Sequence, residues 1–171
     1  MDIFEVLKKR HSVRRFKKKE IEKDKIEKLL KAANSAPSAG NLQAYRIFLV
    51  RDKSKRERLA RAALDQDFVA QAPVDLVFCA DLARSSQGYG TRGETLYSIQ
   101  DATIACAYVH LAAIDLGLGS VIVGAFDEAE VGRILNIPSG LRPIIILPLG
   151  YPDEAPEKTS RRSLNDLVSG L

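Results

Sequence analysis

Between Glu94 and Leu116 the chain carries the pattern of one long helix, apolar on nearly every side from Ala102 to Ile114. A helix without a polar face has to be buried, in the centre of a domain or in the seam between two copies. The rest of the chain must be arranged around it. Its uncharged run is shorter than the about 20 residues a bilayer span needs. The start, M-D-I-F-E-V-L-K-K-R, lacks the apolar core of a secretory signal. The expectation is a soluble, cytoplasmic protein with no membrane partner.

Around that helix, strands and helices are mixed without a regular alternation. Asp2 to about Lys9 reads as a short helix capped by Asp2. Ile26, Leu29, Leu30 and Ala33 form the stripe of a second helix, which ends near Ala36 because Pro37 disfavours helix before it. Tyr45 to Val50 is β-branched and aromatic, hence a strand. Lys53 to Leu64 is a charged helix, and Val74 to Ala80 an apolar, buried strand. Arg84 to Gly93 reads as a polar, mobile loop with three glycines. After the long helix come a short strand (Ser120 to Ala125), a helix capped by Asp127, and an apolar strand from Ile144 to Leu149. The class is α+β, in one domain spanning residues 1–171.

The most unusual composition is local. Arg10 to Phe16 reads R-H-S-V-R-R-F, and in an extended segment Arg10, Ser12 and Arg14 would share one side. A forked, permanently charged guanidinium suits a phosphate, and a neighbouring hydroxyl adds a donor. The plainer reading is a solvated basic turn, like Lys17-Lys18-Lys19 just beyond. The formal net charge of +4 is concentrated before Lys31, and the chain has no Trp and only 6% aromatics. That composition argues against a base-stacking nucleic-acid surface. A second polar stretch, A-P-S-A-G-N-L-Q from Ala36 to Gln43, turns at Pro37 and Gly40 and presents Ser38, Asn41 and Gln43. Its amides can both donate to and accept from the edge of a pyrimidine-like ring.

Other motifs lead nowhere. Gly88 to Gly93 matches G-x-G-x-x-G, but it does not follow a strand directly, as a dinucleotide fingerprint must. Cys106 and His110 share a helix face without the further ligands a metal needs, so core packing explains them better and no metal is expected. Two cysteines make no disulfide framework. With no nucleophile motif, metal site or nucleotide-binding loop, an enzyme of this sequence would rely on a bound cofactor.

Taken in order, R-H-S-V-R-R-F, A-P-S-A-G-N-L-Q, the long helix running into L-G-L-G-S-V-I-V-G, and L-P-L-G-Y-P followed by Arg161-Arg162 resemble the nitroreductase family of FMN-dependent oxidoreductases. The resemblance implies an α+β fold on a mixed, mainly antiparallel sheet flanked by helices, and an intertwined homodimer with FMN at each end of its interface. It assigns Arg10, His11, Ser12 and Arg14 to the flavin phosphate and ring edge, and Pro37, Ser38, Asn41 and Gln43 to the ring, from the partner subunit. It sets the backbone of Val123 and Gly124 near the reactive nitrogen, lets Gly124 and Gly150 approach the ligand closely, and closes Arg161 or Arg162 over the phosphate. The implied reaction is two-step: NADH or NADPH reduces FMN, and a nitroaromatic, quinone-like or related small molecule is reduced in turn, with no catalytic side chain. A flavin carrier or sensor, and a basic nucleic-acid-binding module, are the alternatives. Gln43 is followed by Ala44-Tyr45 where the family often has Pro-Trp, and the Asp81 to Gly93 region is expected to lack the helical lid of longer members.

Overall fold

The computed structural model describes residues 1–155 and 159–170. Helix α1 (Ile3–Lys9) starts at Asp2, whose carboxylate accepts the Glu5 N–H at 3.0 Å. Helix α2 (Lys23–Asn34) buries Ile26, Leu29 and Ala33. Then follow β1 (Tyr45–Val50), α3 (Lys53–Ala62), α4 (Asp67–Gln71) and β2 (Val74–Asp81). Helix α5 (Leu82–Arg92) passes through a π-type turn at Gly93–Tyr97 into α6 (Ser98–Asp115). The last elements are β3 (Gly119–Ser120), α7 (Glu128–Leu135), β4 (Leu141–Gly150) and α8 (Leu164–Leu167). Asp127 caps α7 as expected, accepting the Glu130 N–H at 2.9 Å.

The strands form one sheet in the order β1-β2-β4-β3. β1 pairs with β2 from Tyr45↔Ala80 to Val50↔Asp75, and β2 with β4 from Val74↔Leu149 to Asp81↔Leu141. All three pairings are antiparallel; the parallel partner of a mixed sheet is not found among the described residues. Helices cover both faces. On one, Val74, Leu76, Phe78, Leu147 and Leu149 pack with α2 and α6. On the other, Val77, Cys79 and Ile146 pack with residues of α3, α4 and α7. Double coverage is why β2 and β4 read as continuous apolar runs instead of alternating.

One residue in that double layer is out of place chemically. Asp75 is fully buried in β2, on the side that carries Val77, and neither carboxylate oxygen has a hydrogen-bond partner among the described residues. Burial holds its pKa well above the usual carboxylate range, against the pull of Arg56. Arg56, which pattern alone puts on the wet face of α3, instead donates to the carbonyls of Ala70 and Ala72 and ties down α4.

The stretch expected to be a mobile loop is helical. Asp81 accepts the Arg84 N–H at 3.0 Å and starts α5 directly from the strand end. Its glycines serve packing: a Cβ on Gly88 would lie 2.9 Å from Leu42, and one on Gly93 2.3 Å from the Ser85 carbonyl oxygen. Gly90 alone leaves helical geometry. Arg84 Nε donates to the Leu42 carbonyl at 2.5 Å, which ties α5 to the 36–43 loop.

Helix α6 is buried along one stripe: Ser98, Asp101, Ala102, Ala105, Cys106, Val109, His110 and Ala113, spaced as a 3.6-residue period requires. On the other side Ile104 and Tyr108 are 36% and 41% exposed. Within one chain, then, the apolar helix is only half covered.

Candidate functional site

Arg10 closes α1, its N–H bonded to the Val6 carbonyl at 2.9 Å. From there the chain runs extended along the end of α6. Val13 is fully buried and its N–H reaches the Ser120 carbonyl at 3.0 Å, while Phe16 bridges to Pro152. Gly119 makes this docking possible, since a Cβ there would stand 2.6 Å from a Val13 methyl. The L-G-L-G-S motif is thus the seat of R-H-S-V-R-R-F. Glu154 pins the next turn through its carboxylate, which accepts the Arg14 N–H at 2.5 Å and the Arg15 N–H at 3.3 Å.

The segment around Val13 lines a cleft of about 1060 Å³. Arg10, His11, Ser12, Arg14 and, from the far end of the chain, Arg161 all line it, together with Lys8 and Lys9. Among the described residues no carboxylate lies within ion-pair distance of the Arg10, Arg14 or Arg161 guanidinium. Arg162 is different: its Nε donates to Asp166 at 2.5 Å and its other arm to the Asp166 carbonyl, turning it to a neighbour one helical turn on.

Beneath the cleft, His110 is buried on α6. Its Nδ1 lies 2.6 Å from Ser120 Oγ and its Nε2 3.4 Å from an Arg10 guanidinium nitrogen. Burial first, then the charges of Arg10 and His11, lower its pKa to about 4. Cys106, one turn earlier, is a buried thiol pushed up to about 12, and no three acidic, histidine or cysteine side chains are grouped to hold a metal among the described residues.

The second polar stretch is at the other end of α6. Asp101, in the first turn, accepts the Ala39 N–H at 3.0 Å and the Ala44 N–H at 3.3 Å, gripping the loop at both ends. Between them Gly40, Asn41 and Gln43 have φ of 54°, 56° and 49°. Left-handed backbone at non-glycine residues costs on the order of 1 kcal/mol each, and such strain gathers at binding sites. Ser38 Oγ accepts the Gln43 N–H at 2.9 Å, and the Gln43 amide donates to Asn41. Pro37, Ser38, Asn41 and Gln43 are absent from the lining of the cationic cleft. The rise from Asp101 to His110 is about 14 Å at ~1.5 Å per residue, so one chain keeps its two polar stretches apart.

The remaining expected positions divide. Val123 is buried and both its backbone groups bond to Ile146, at 2.9 and 3.0 Å, so its N–H is already committed. Gly124, just beyond, is exposed with open space where a side chain would be. At Gly150 a Cβ would meet Phe16 at 2.8 Å and Pro73 at 2.9 Å, so its backbone packs closely against protein. Sequence alone does not single out Asp101, Gly119 or Glu154; each acts on a segment far away in the chain, and no local pattern marks such a partner.

The chain has relatives of known name. Residues 7–66 and 62–151 match the family described as the Nitroreductase family. An NADH dehydrogenase of Thermus thermophilus is 32% identical, the match covering 94% of this chain and 91% of that protein. An FMN reductase [NAD(P)H] of Bacillus subtilis is 29% identical over 94% of this chain and 70% of its own. Among solved structures, the NADPH:FMN oxidoreductase of Vibrio harveyi, complexed with NAD+, superposes with a TM-score of 0.90 at 29% identity, covering 98% of this chain and 76% of that one. The family match runs from α1, through the cationic segment and the 36–43 loop, to the residue after β4, and on that extent the chain belongs to the nitroreductase family.

Proposed function

We propose that this protein is an FMN-dependent oxidoreductase that passes electrons from NADH or NADPH to a nitroaromatic, quinone-like or related small molecule. The observation that carries the reading is the cationic cleft. Three guanidinium groups from both ends of the chain, a serine hydroxyl and a histidine line one space with no carboxylate paired to those guanidinium groups among the described residues. A phosphate dianion fits such a donor set. Arg10, Ser12, Arg14 and Arg161 would hold the phosphate, with His11 beside them. Pro37, Ser38, Asn41 and Gln43 would meet the polar edge of the flavin ring, and Gly124 would leave room for it. When bound, FMN supplies the electron transfer that the names of the relatives describe. The chain supplies charge, orientation and shelter from water.

We further propose that the working unit is a homodimer in the cytoplasm. The two polar stretches are at opposite ends of α6, so a second copy is the simplest way to bring one of each together. Exposed apolar side chains suit that seam: Ile104 and Tyr108 on α6, Phe4 and Leu7 on α1, and Leu164 and Leu167 on α8. No helix among the described residues is long and apolar enough to cross a membrane. The free cysteines Cys79 and Cys106, both buried, suit a reducing compartment.

The test is the spectrum of the purified protein and its response to donors. A yellow protein, bleached anaerobically by NADH or NADPH and recoloured by a nitroaromatic or quinone, supports the proposal. A bound flavin that neither donor reduces would favour a carrier or sensor. A colourless protein whose nucleic-acid affinity falls steeply with salt would favour the basic-module reading.

A further inference from the structure

We propose that His110 is a positioning residue: from beneath the cleft, braced by Ser120, it aims the Arg10 guanidinium at the ligand's phosphate. The proposal rests on the reading of the cleft as a phosphate site. Position 110 belongs to the buried stripe of α6, where the neighbours one turn to either side are Cys106 and Ala113. An apolar residue would satisfy packing there. Instead the stripe carries an imidazole, 5% exposed, with each ring nitrogen against a polar partner.

The chemistry of those partners fixes the arrangement. Arginine only donates, so the Nε2 facing Arg10 must be the lone-pair nitrogen. The proton is then on Nδ1, which donates to Ser120 Oγ at 2.6 Å. Ser120 is itself fixed, because its carbonyl accepts the Val13 N–H at 3.0 Å. The chain of contacts Val13–Ser120–His110–Arg10 therefore locks the side chain of the first arginine to the backbone of the segment that bears it.

A neutral anchor has a consequence that an acidic one would not. Arg10 is half-buried, and a guanidinium leaving water needs an acceptor. A carboxylate would provide one, but it would neutralise the charge and compete with the incoming anion. Arg162 and Arg142 elsewhere in the chain are paired in that way, with Asp166 and Glu128. An imidazole takes one N–H and leaves the charge and the remaining donors for the ligand.

The experiment compares FMN with riboflavin, which lacks the phosphate, on the wild type and on His110→Leu, His110→Asn and His110→Gln. Each variant's fold is checked by its unfolding midpoint. Gln can place its amide oxygen where Nε2 stands; Asn reaches only the Nδ1 position, and Leu neither. FMN affinity is expected to fall about tenfold in the Leu and Asn variants, with riboflavin affinity unchanged and Gln restoring most of the loss. Equal weakening of both ligands, or no weakening of FMN, overturns the proposal. A wild type that does not prefer FMN to riboflavin overturns the phosphate reading of the cleft instead. The aim of Arg10 is then judged without FMN, from its guanidinium nitrogen resonances in the ligand-free protein. These are expected to move to the position of a free arginine in His110→Leu, and their staying in place overturns the positioning role.

Discussion

The two ends of α6 anchor their polar segments with different side-chain partners. At the N-terminal end a carboxylate, Asp101, grips a strained loop by two backbone N–H groups. At the C-terminal end a glycine makes room for the cationic segment, a backbone bond to Ser120 seats it, Glu154 accepts two of its backbone N–H groups, and a neutral imidazole meets the Arg10 guanidinium. The dipole of α6 suits the cations near its C-terminal end. The difference shows where charge is wanted. At both ends an acid shapes protein through backbone N–H groups, while the Arg10, Arg14 and Arg161 guanidinium groups of the cleft have no ion-pair partner among the described residues.

If that contrast is right, damage at one end should leave the other intact. The largest effect is expected from Asp101→Ala, which strips the acceptor from two amides and should cost about 2–4 kcal/mol in denaturant unfolding. Hydrogen exchange at Ala39 and Ala44 should accelerate while Val13 stays protected; loss of protection at Val13 would mean that the ends are not independent. Next is Gly119→Ala, where the new methyl meets Val13 and should cost about 1–3 kcal/mol. Here Val13 should lose protection and Ala39 should not.

A pH series sharpens the comparison further. Between about 4 and its ordinary 6.5, His110 is neutral in the folded chain and protonated in the unfolded one. The unfolded state then binds the extra proton, so stability should fall on acidification by up to about 1.4 kcal/mol per pH unit from this group. His110→Gln should remove that part of the slope. An unchanged slope would show that the imidazole is not held neutral. The smallest pair is expected at the chain's end. Arg161→Ala should weaken FMN by about 1–2 kcal/mol, measured by fluorescence titration. Arg162→Ala, which breaks only an exposed pair with Asp166, should change it by less than about 0.5 kcal/mol.

Much of this was legible in the sequence, and what was not has a physical cause. Tyr45–Val50 and the caps at Asp2 and Asp127 follow from local chemistry, and local chemistry is what a sequence displays. The run from Gly88 to Gly93 misleads, because glycine marks both flexible backbone and close contact; here Leu42 against Gly88 and the Ser85 carbonyl against Gly93 make it contact, and only Gly90 uses the backbone freedom. Gly150 likewise packs closely on Phe16, a neighbour far away in the sequence. His110 was legible as buried but not as polar in its use, since its partners Arg10 and Ser120 come together only when α1, α6 and β3 meet.

Asp75 carries a consequence of its own. A carboxyl whose burial keeps its proton, in a chain that releases that proton on unfolding, makes folding an uptake reaction wherever pH lies between the ordinary carboxylate range and the raised one. The heat of unfolding should then depend on the ionisation enthalpy of the buffer, differing between two buffers of unlike ionisation enthalpy at the same pH inside that window. A calorimeter would register that core acid as a stoichiometric exchange with the solvent.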